Sequence, residues 1–148
     1  MNGPATIMGP RKILVVDDDQ VIRKTLSLAL STNGFAVFTA PDGPGAVSIV
    51  NREKPDLIVL DITFPPDAAN INGALQDGFF IMEWIRRMGD AHDIPVIMIS
   101  ADTSSKCRDH AMTAGAVGFF VKPVDRFELI KVIRATLGET APDAVAAA

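Results

Sequence analysis

Five short apolar runs, rich in valine and isoleucine, recur along the chain: Lys12 to Val16, Ala36 to Thr39, Leu57 to Leu60, Val96 to Ile99 and Gly118 to Val121. The first, third and fourth are apolar throughout rather than alternating, which is the pattern of strands buried on both faces. The segments between them carry helical spacing. Ile22, Leu26, Ala29 and Leu30 line one face, and Gly34 stands where a left-handed helix terminator belongs. Ala46, Val47 and Val50 follow a turn at Asp42-Gly43, with Pro44 placed to open a helix. Gly78 to Met88 carries a third pattern, and Ser104 to Ala114 a weaker, more polar fourth closed by Gly115. A fifth starts at Asp125, with Glu128 three residues on in the manner of a capping box, and continues through Ile130, Ile133 and Leu137.

Strand and helix alternating in this way predict an α/β fold: a doubly wound, five-stranded parallel sheet with helices on both faces and right-handed crossovers. At 148 residues, 48% of them hydrophobic, the chain suits one domain with a full core. We expect it to run over residues 11–138. Residues 1–10 and 139–148, which lack a periodic apolar pattern, are expected to be disordered tails.

Charge and cysteine content narrow the partners. A net charge of −4 argues against direct binding to nucleic acid, which needs clustered Lys and Arg, and disfavours a membrane surface. No apolar stretch approaches the roughly 18 residues that span a bilayer. Cys107 is the only cysteine, so no intrachain disulfide can form, and the cytoplasm is the expected compartment. On sequence alone Cys107 reads as incidental, and His92 and His110 as ordinary surface residues.

Candidate chemistry lies in the polar residues that end the strands, because ligands of such sheets bind at the carboxyl ends near the point where strand order reverses. The first strand ends in Asp17, Asp18 and Asp19, the third in Asp61, the fourth in Ser100, and the fifth in Lys122 followed by Pro123. Each alone has a plain explanation as a cap or loop residue, and Asp19 is expected to be a helix N-cap. Together they bring several carboxylates, a hydroxyl and an ammonium to one edge. Crowded carboxylates raise one another's pKa unless a cation sits among them. Mg²⁺ suits hard oxygen ligands and completes its shell with water and phosphate oxygens; Mn²⁺ fits the same donors. A carboxylate, a metal and a lysine so placed would offset the charge of a transferring phosphoryl group.

The motifs ILVVDDD, LIVLD with Pro65 beyond it, VIMISA and AGAVGFFVKP resemble those of the receiver domain of bacterial response regulators, of the stand-alone chemotaxis type, from about Arg11 to Leu137. The resemblance implies a flavodoxin-like strand order 2-1-3-4-5. It also implies that Asp61 is phosphorylated by a sensor histidine kinase or a histidine phosphotransfer protein, the chain being a signalling domain rather than an enzyme. Asp17, Asp18 and Asp61 would hold Mg²⁺ together with the Thr63 carbonyl. Ser100 would meet the phosphoryl group, Lys122 would pair with it through a cis Lys122–Pro123 bond, and Phe119 would turn inward as the switch residue. Thr63 and Asp102 occupy positions that tune the lifetime of the phosphoryl group. The reshaped surface of the fourth helix, fifth strand and fifth helix would meet a downstream protein, the chain being a monomer or a phosphorylation-dependent dimer.

Some features depart from the pattern. The Asp77-Gly78 pair arrives about nine residues late, so residues 64–77 form an extended loop, longer than the usual two to six residues. The following helix is apolar around most of its circumference, and Ile71 and Leu75 are expected to fold back onto Phe80 and Trp84 unless that face takes a partner. Rival readings are a haloacid-dehalogenase-like phosphatase, with Asp17 as nucleophile and Asp19 as general acid, and a pseudo-receiver that never takes phosphate. The phosphatase leaves Asp61 unexplained and lacks a later acidic pair, and a pseudo-receiver would be expected to lose part of the residue set.

Overall fold

The computed structural model describes residues 9–62 and 78–139. The expected extended loop and most of both expected tails lie outside them, as do Thr63, Ile71 and Leu75. Strands β1 (Lys12–Val16), β2 (Ala36–Ala40), β3 (Leu57–Asp61), β4 (Val96–Ser100) and β5 (Gly118–Val121) alternate with helices α1 (Gln20–Thr32), α2 (Gly43–Glu53), α3 (Gly78–Arg86), α4 (Ser105–Thr113) and α5 (Arg126–Thr136). The strands form one parallel sheet in the order β2-β1-β3-β4-β5, as expected.

Continuous apolar runs are explained by the two cores they feed. Leu14, Val16, Ile58, Leu60, Val96 and Met98 point to one face, against Ala46, Ile49 and Val50 of α2 and Ile81, Met82 and Ile85 of α3. Ile13, Val15, Leu57, Val59, Ile97 and Ile99 point to the other, against Leu26 and Leu30 of α1 and Leu129 and Ile133 of α5. Successive side chains in a strand alternate between faces, so a central strand with a helix layer on each side has no polar face to show.

The helix ends follow local chemistry. Asp19 caps α1 by accepting from the Val21 and Ile22 amides, Asp42 caps α2 through Gly45, Ser104 caps α4 through Cys107, and Asp125 caps α5 through Phe127 and Glu128. These caps satisfy amide donors that have no partner within the first helical turn. The turn after α1 ends in Gly34 at φ +94°, a left-handed conformation that favours glycine.

Strand order reverses between β1 and β3, and the carboxyl ends on either side of that point frame the site. Val16 pairs with Leu60, which sets Asp17 beside Asp61 one step further along. Asp61 pairs with Ile99 and Ser100 with Val121, so Ser100 and Lys122 extend the same row.

Candidate functional site: an acidic cluster at the switch point

Among the described residues Asp17 is the most deeply placed acid, with 1% of its surface exposed. One carboxylate oxygen, Oδ1, accepts from the Asp19 amide at 2.8 Å, and its carbonyl accepts from Arg23 Nη1 at 2.7 Å. Arg23, a cation one turn into α1, is a support that no motif in the sequence signals. The other oxygen, Oδ2, is buried and accepts no well-aligned hydrogen bond, although Lys122 Nζ lies 3.0 Å away as an ion contact. The same ammonium lies 3.1 Å from Asp61 Oδ2. Lys122 thus bridges the ends of β1 and β3 from the end of β5. The Lys122–Pro123 peptide bond is cis.

Burial is the largest influence on Lys122 and would lower its pKa, but the charges and contacts of Asp61 and Asp17 together outweigh it and hold the ammonium above its ordinary value of 10.5. Asp17, Asp18 and Asp61 can each bring one carboxylate oxygen within 4.8 Å of the others. Asp18 is exposed while the other two are buried. Three carboxylates against one ammonium leave the cluster negative. Together with the buried, poorly satisfied Asp17 oxygen, that donor set fits a small hard cation.

Ser100 is buried, and its Oγ accepts from the Asp102 amide at 2.9 Å and from the Cys107 thiol at 3.7 Å. Its carbonyl accepts from the Lys122 amide at 2.8 Å, which ties β4 to the start of the Lys122 loop. Asp102 itself is exposed and turned into the loop, where its Oδ1 accepts from the Ser104 amide at 2.8 Å. That backbone hydrogen bond, aided by the Ser104 side chain, holds its carboxyl below the usual range. Phe119 is packed into the core on the α2–α3 side with 9% of its surface exposed, and the Arg108 guanidinium lies 5.8 Å from its ring centroid.

Asp17, Asp18, Asp61 and Lys122 are therefore brought together, with Ser100 in the adjoining row and Phe119, opposite Met98, two residues before Ser100's partner Val121 on the neighbouring β5. Asp19 faces its own helix. Thr63 lies outside the described residues. Two residues read as plain from sequence have definite contacts: Cys107 touches Ser100, and the His110 ring stacks on Phe79 at 3.9 Å between centroids and 10° between planes. Neither belongs to a motif, and both contacts depend on how α4 is rotated against its neighbours, which spacing in the sequence does not reveal.

Comparison with known proteins decides the family. Residues 13–134 match the response regulator receiver domain. The chain belongs to that family. It is a receiver domain of two-component signalling, and receiver domains are signalling domains. Response regulator MprA of Mycobacterium leprae is 37% identical over 132 residues, covering 89% of this chain and 53% of that protein. MprA of Mycobacterium sp. (strain KMS) is 36% identical over 134 residues, covering 90% of this chain and 54% of that one. The receiver chain thus spans about half the length of the curated relatives it matches. Among solved structures, chemotaxis protein CheY4 of Vibrio cholerae superposes with a TM-score of 0.74 at 28% identity, covering 86% of this chain and 98% of that one. The receiver domain of Francisella response regulator 1452 does so with a TM-score of 0.69 at 28% identity, covering 86% and 94%.

Proposed function

We propose that this receiver domain takes a phosphoryl group on Asp61 from a histidine kinase or a histidine phosphotransfer protein. The observation that carries the reading is the single ammonium of Lys122 set between Asp17 Oδ2 and Asp61 Oδ2. An Asp61 carboxylate oxygen forms the new O–P bond as the bond from phosphorus to the donor breaks, and the leaving group departs with that electron pair. Hydrolysis reverses the loading: water adds at phosphorus, Asp61 leaves as carboxylate, and inorganic phosphate is released. Asp17, Asp18 and Asp61, with the Thr63 carbonyl, would hold Mg²⁺ or Mn²⁺, which supplies positive charge for the phosphoryl oxygens. Lys122 places a second positive charge on the group, and Ser100 donates its hydroxyl to it. Thr63 and Asp102 tune its lifetime.

Output runs through Ser100 and Phe119. The ring already packs inward, so the change transmitted on phosphorylation is a repacking of Phe119 against α4 rather than a large swing. Met112 and Val117 are exposed beside this region, and the surface of α4, β5 and α5 is the face offered to a downstream protein or a second copy. Among the described residues no helix is long and apolar enough to cross a membrane, in keeping with a cytoplasmic setting.

The test is intact-mass measurement after incubation with Mg²⁺ and acetyl phosphate, beside Asp61→Asn. One added phosphoryl group on the wild type alone, lost on chelating Mg²⁺, is the expected result. No adduct with any donor would move the assignment to a phosphate-independent binding module, and label on Asp17 would move it to a phosphatase.

A further inference from the structure

The Ser100 hydroxyl is held from the side of the helix that follows it. Its oxygen accepts from the Asp102 amide at 2.9 Å and from the Cys107 thiol at 3.7 Å, and both donors lie on the loop and first turn of α4 that follow β4. Cys107 is fixed in turn. Its amide donates to Ser104 Oγ at 3.2 Å, and its half-buried side chain packs against the core that includes Phe119. A hydroxyl oxygen has two lone pairs, and these two donors engage both. If Ser100 is to turn toward a group bound on Asp61, the long and weak thiol contact is the one that yields most easily.

We propose that Cys107 is a positioning residue: its thiol restrains the Ser100 hydroxyl on the α4 side, and this restraint opposes the phosphorylated arrangement. The proposal rests on the reading of Asp61 as phosphoacceptor. A ligand that draws Ser100 toward Asp61 must break the thiol contact, so removing the thiol favours the ligand-bound state by the energy of that contact. Because a thiol is a weak donor, the effect is modest, about 2- to 10-fold in affinity.

Two measurements test this. The probe is beryllofluoride with Mg²⁺, a tetrahedral stand-in for the phosphoryl group whose binding is an equilibrium. Its affinity is compared in wild type, Cys107→Ala, Cys107→Val, Ser100→Ala and the double variant Ser100→Ala/Cys107→Ala. Cys107→Val keeps apolar volume while removing the donor, which separates the hydrogen bond from lost packing. The expected result is tighter binding in both Cys107 variants and no further change from Cys107→Ala in the Ser100→Ala background. Without metal or probe, the amide resonance of Asp102, which shares the Ser100 oxygen, shifts in the Cys107 variants. Unchanged or weaker binding in the Cys107 variants overturns the proposal. So does an equal gain in the Ser100→Ala background, which would place the effect in packing. Failure of the wild type itself to bind the probe overturns the phosphoacceptor reading instead, and the Asp102 resonance still decides whether the thiol bears on Ser100.

Discussion

Gly78 lies flush against the backbone of Asp61: a Cβ placed on it would fall 2.8 Å from the Asp61 carbonyl oxygen and 2.8 Å from Ile62 Cα. The first residue of α3 therefore packs onto the strand end that carries the candidate acceptor, although residues 62–77 separate the two in sequence. An alanine in a helix is ordinarily favoured over glycine by about 1 kcal/mol. Here the added methyl meets backbone that cannot rotate away. Gly78→Ala is expected to lower stability by about 1–3 kcal/mol in urea unfolding, the range for overpacked sites. A gain in stability would show that α3 can slide off Asp61.

The Lys122 ammonium lies within 3.1 Å of both buried acids, so its removal takes away a positive charge that Asp17 and Asp61 share. Lys122→Met is expected to cost about 3 kcal/mol without divalent cation, and less with Mg²⁺ present, as the cation takes over part of the neutralisation. The pH dependence has a definite sign. A lysine raised above 10.5 on folding contributes stability that is complete below 10.5 and is lost as pH climbs through the higher folded value. The Lys122 titration should therefore leave the stability gap between wild type and Lys122→Met constant across the neutral range and close it in strong alkali.

Phe119 and Arg108 form a second pair whose roles separate by magnitude. The ring belongs to the core, so Phe119→Ala is expected to cost about 3–5 kcal/mol. Arg108 covers it from the side of α4, and Arg108→Ala should cost only about 0.5–1 kcal/mol, the range for a partly solvated cation over a ring. Thermal unfolding checks both. A switch that works by packing alone also predicts that Phe119→Leu keeps most of the stability while altering the response of α4 resonances to beryllofluoride.

The fold was legible because burial on two faces leaves an unmistakable sequence trace. The runs KILVV and GFFV coincide with β1 and β5, while β3 and β4 each extend one residue past their apolar stretch, to Asp61 and Ser100. Those two residues continue the ladder, with Asp61 opposite Ile99 and Ser100 opposite Val121, so the site begins inside the sheet. The site was legible for a related reason. Residues that end neighbouring parallel strands are forced together by register, whatever their distance in sequence. Contacts made by helix faces follow no such rule. Cys107 reaches Ser100, Arg108 covers Phe119, and His110 stacks on Phe79 because of the rotation of α4, a helix with a polar composition that gives little sign of which side is buried.

Asp19 separates the receiver from the phosphatase reading most directly. Its carboxylate accepts from the Val21 amide at 2.8 Å and the Ile22 amide at 3.4 Å, the geometry of an N-cap. A phosphatase with Asp17 as nucleophile would use Asp19 as general acid, and Asp19→Ala would then abolish turnover. As a cap, its loss costs about 1 kcal/mol of stability, the usual penalty for an N-cap changed to alanine. Asp19→Ala should therefore unfold at slightly lower urea yet still gain one phosphoryl group from acetyl phosphate. Asp17→Asn should do the reverse: relieved of a buried charge, it keeps or gains stability without metal, but loses both Mg²⁺-dependent stabilisation and phosphorylation. Intact mass and unfolding midpoints for the two variants, each with and without Mg²⁺, check both. An Asp19→Ala protein that folds normally and takes no phosphoryl group would place this acid in the chemistry and not in the cap.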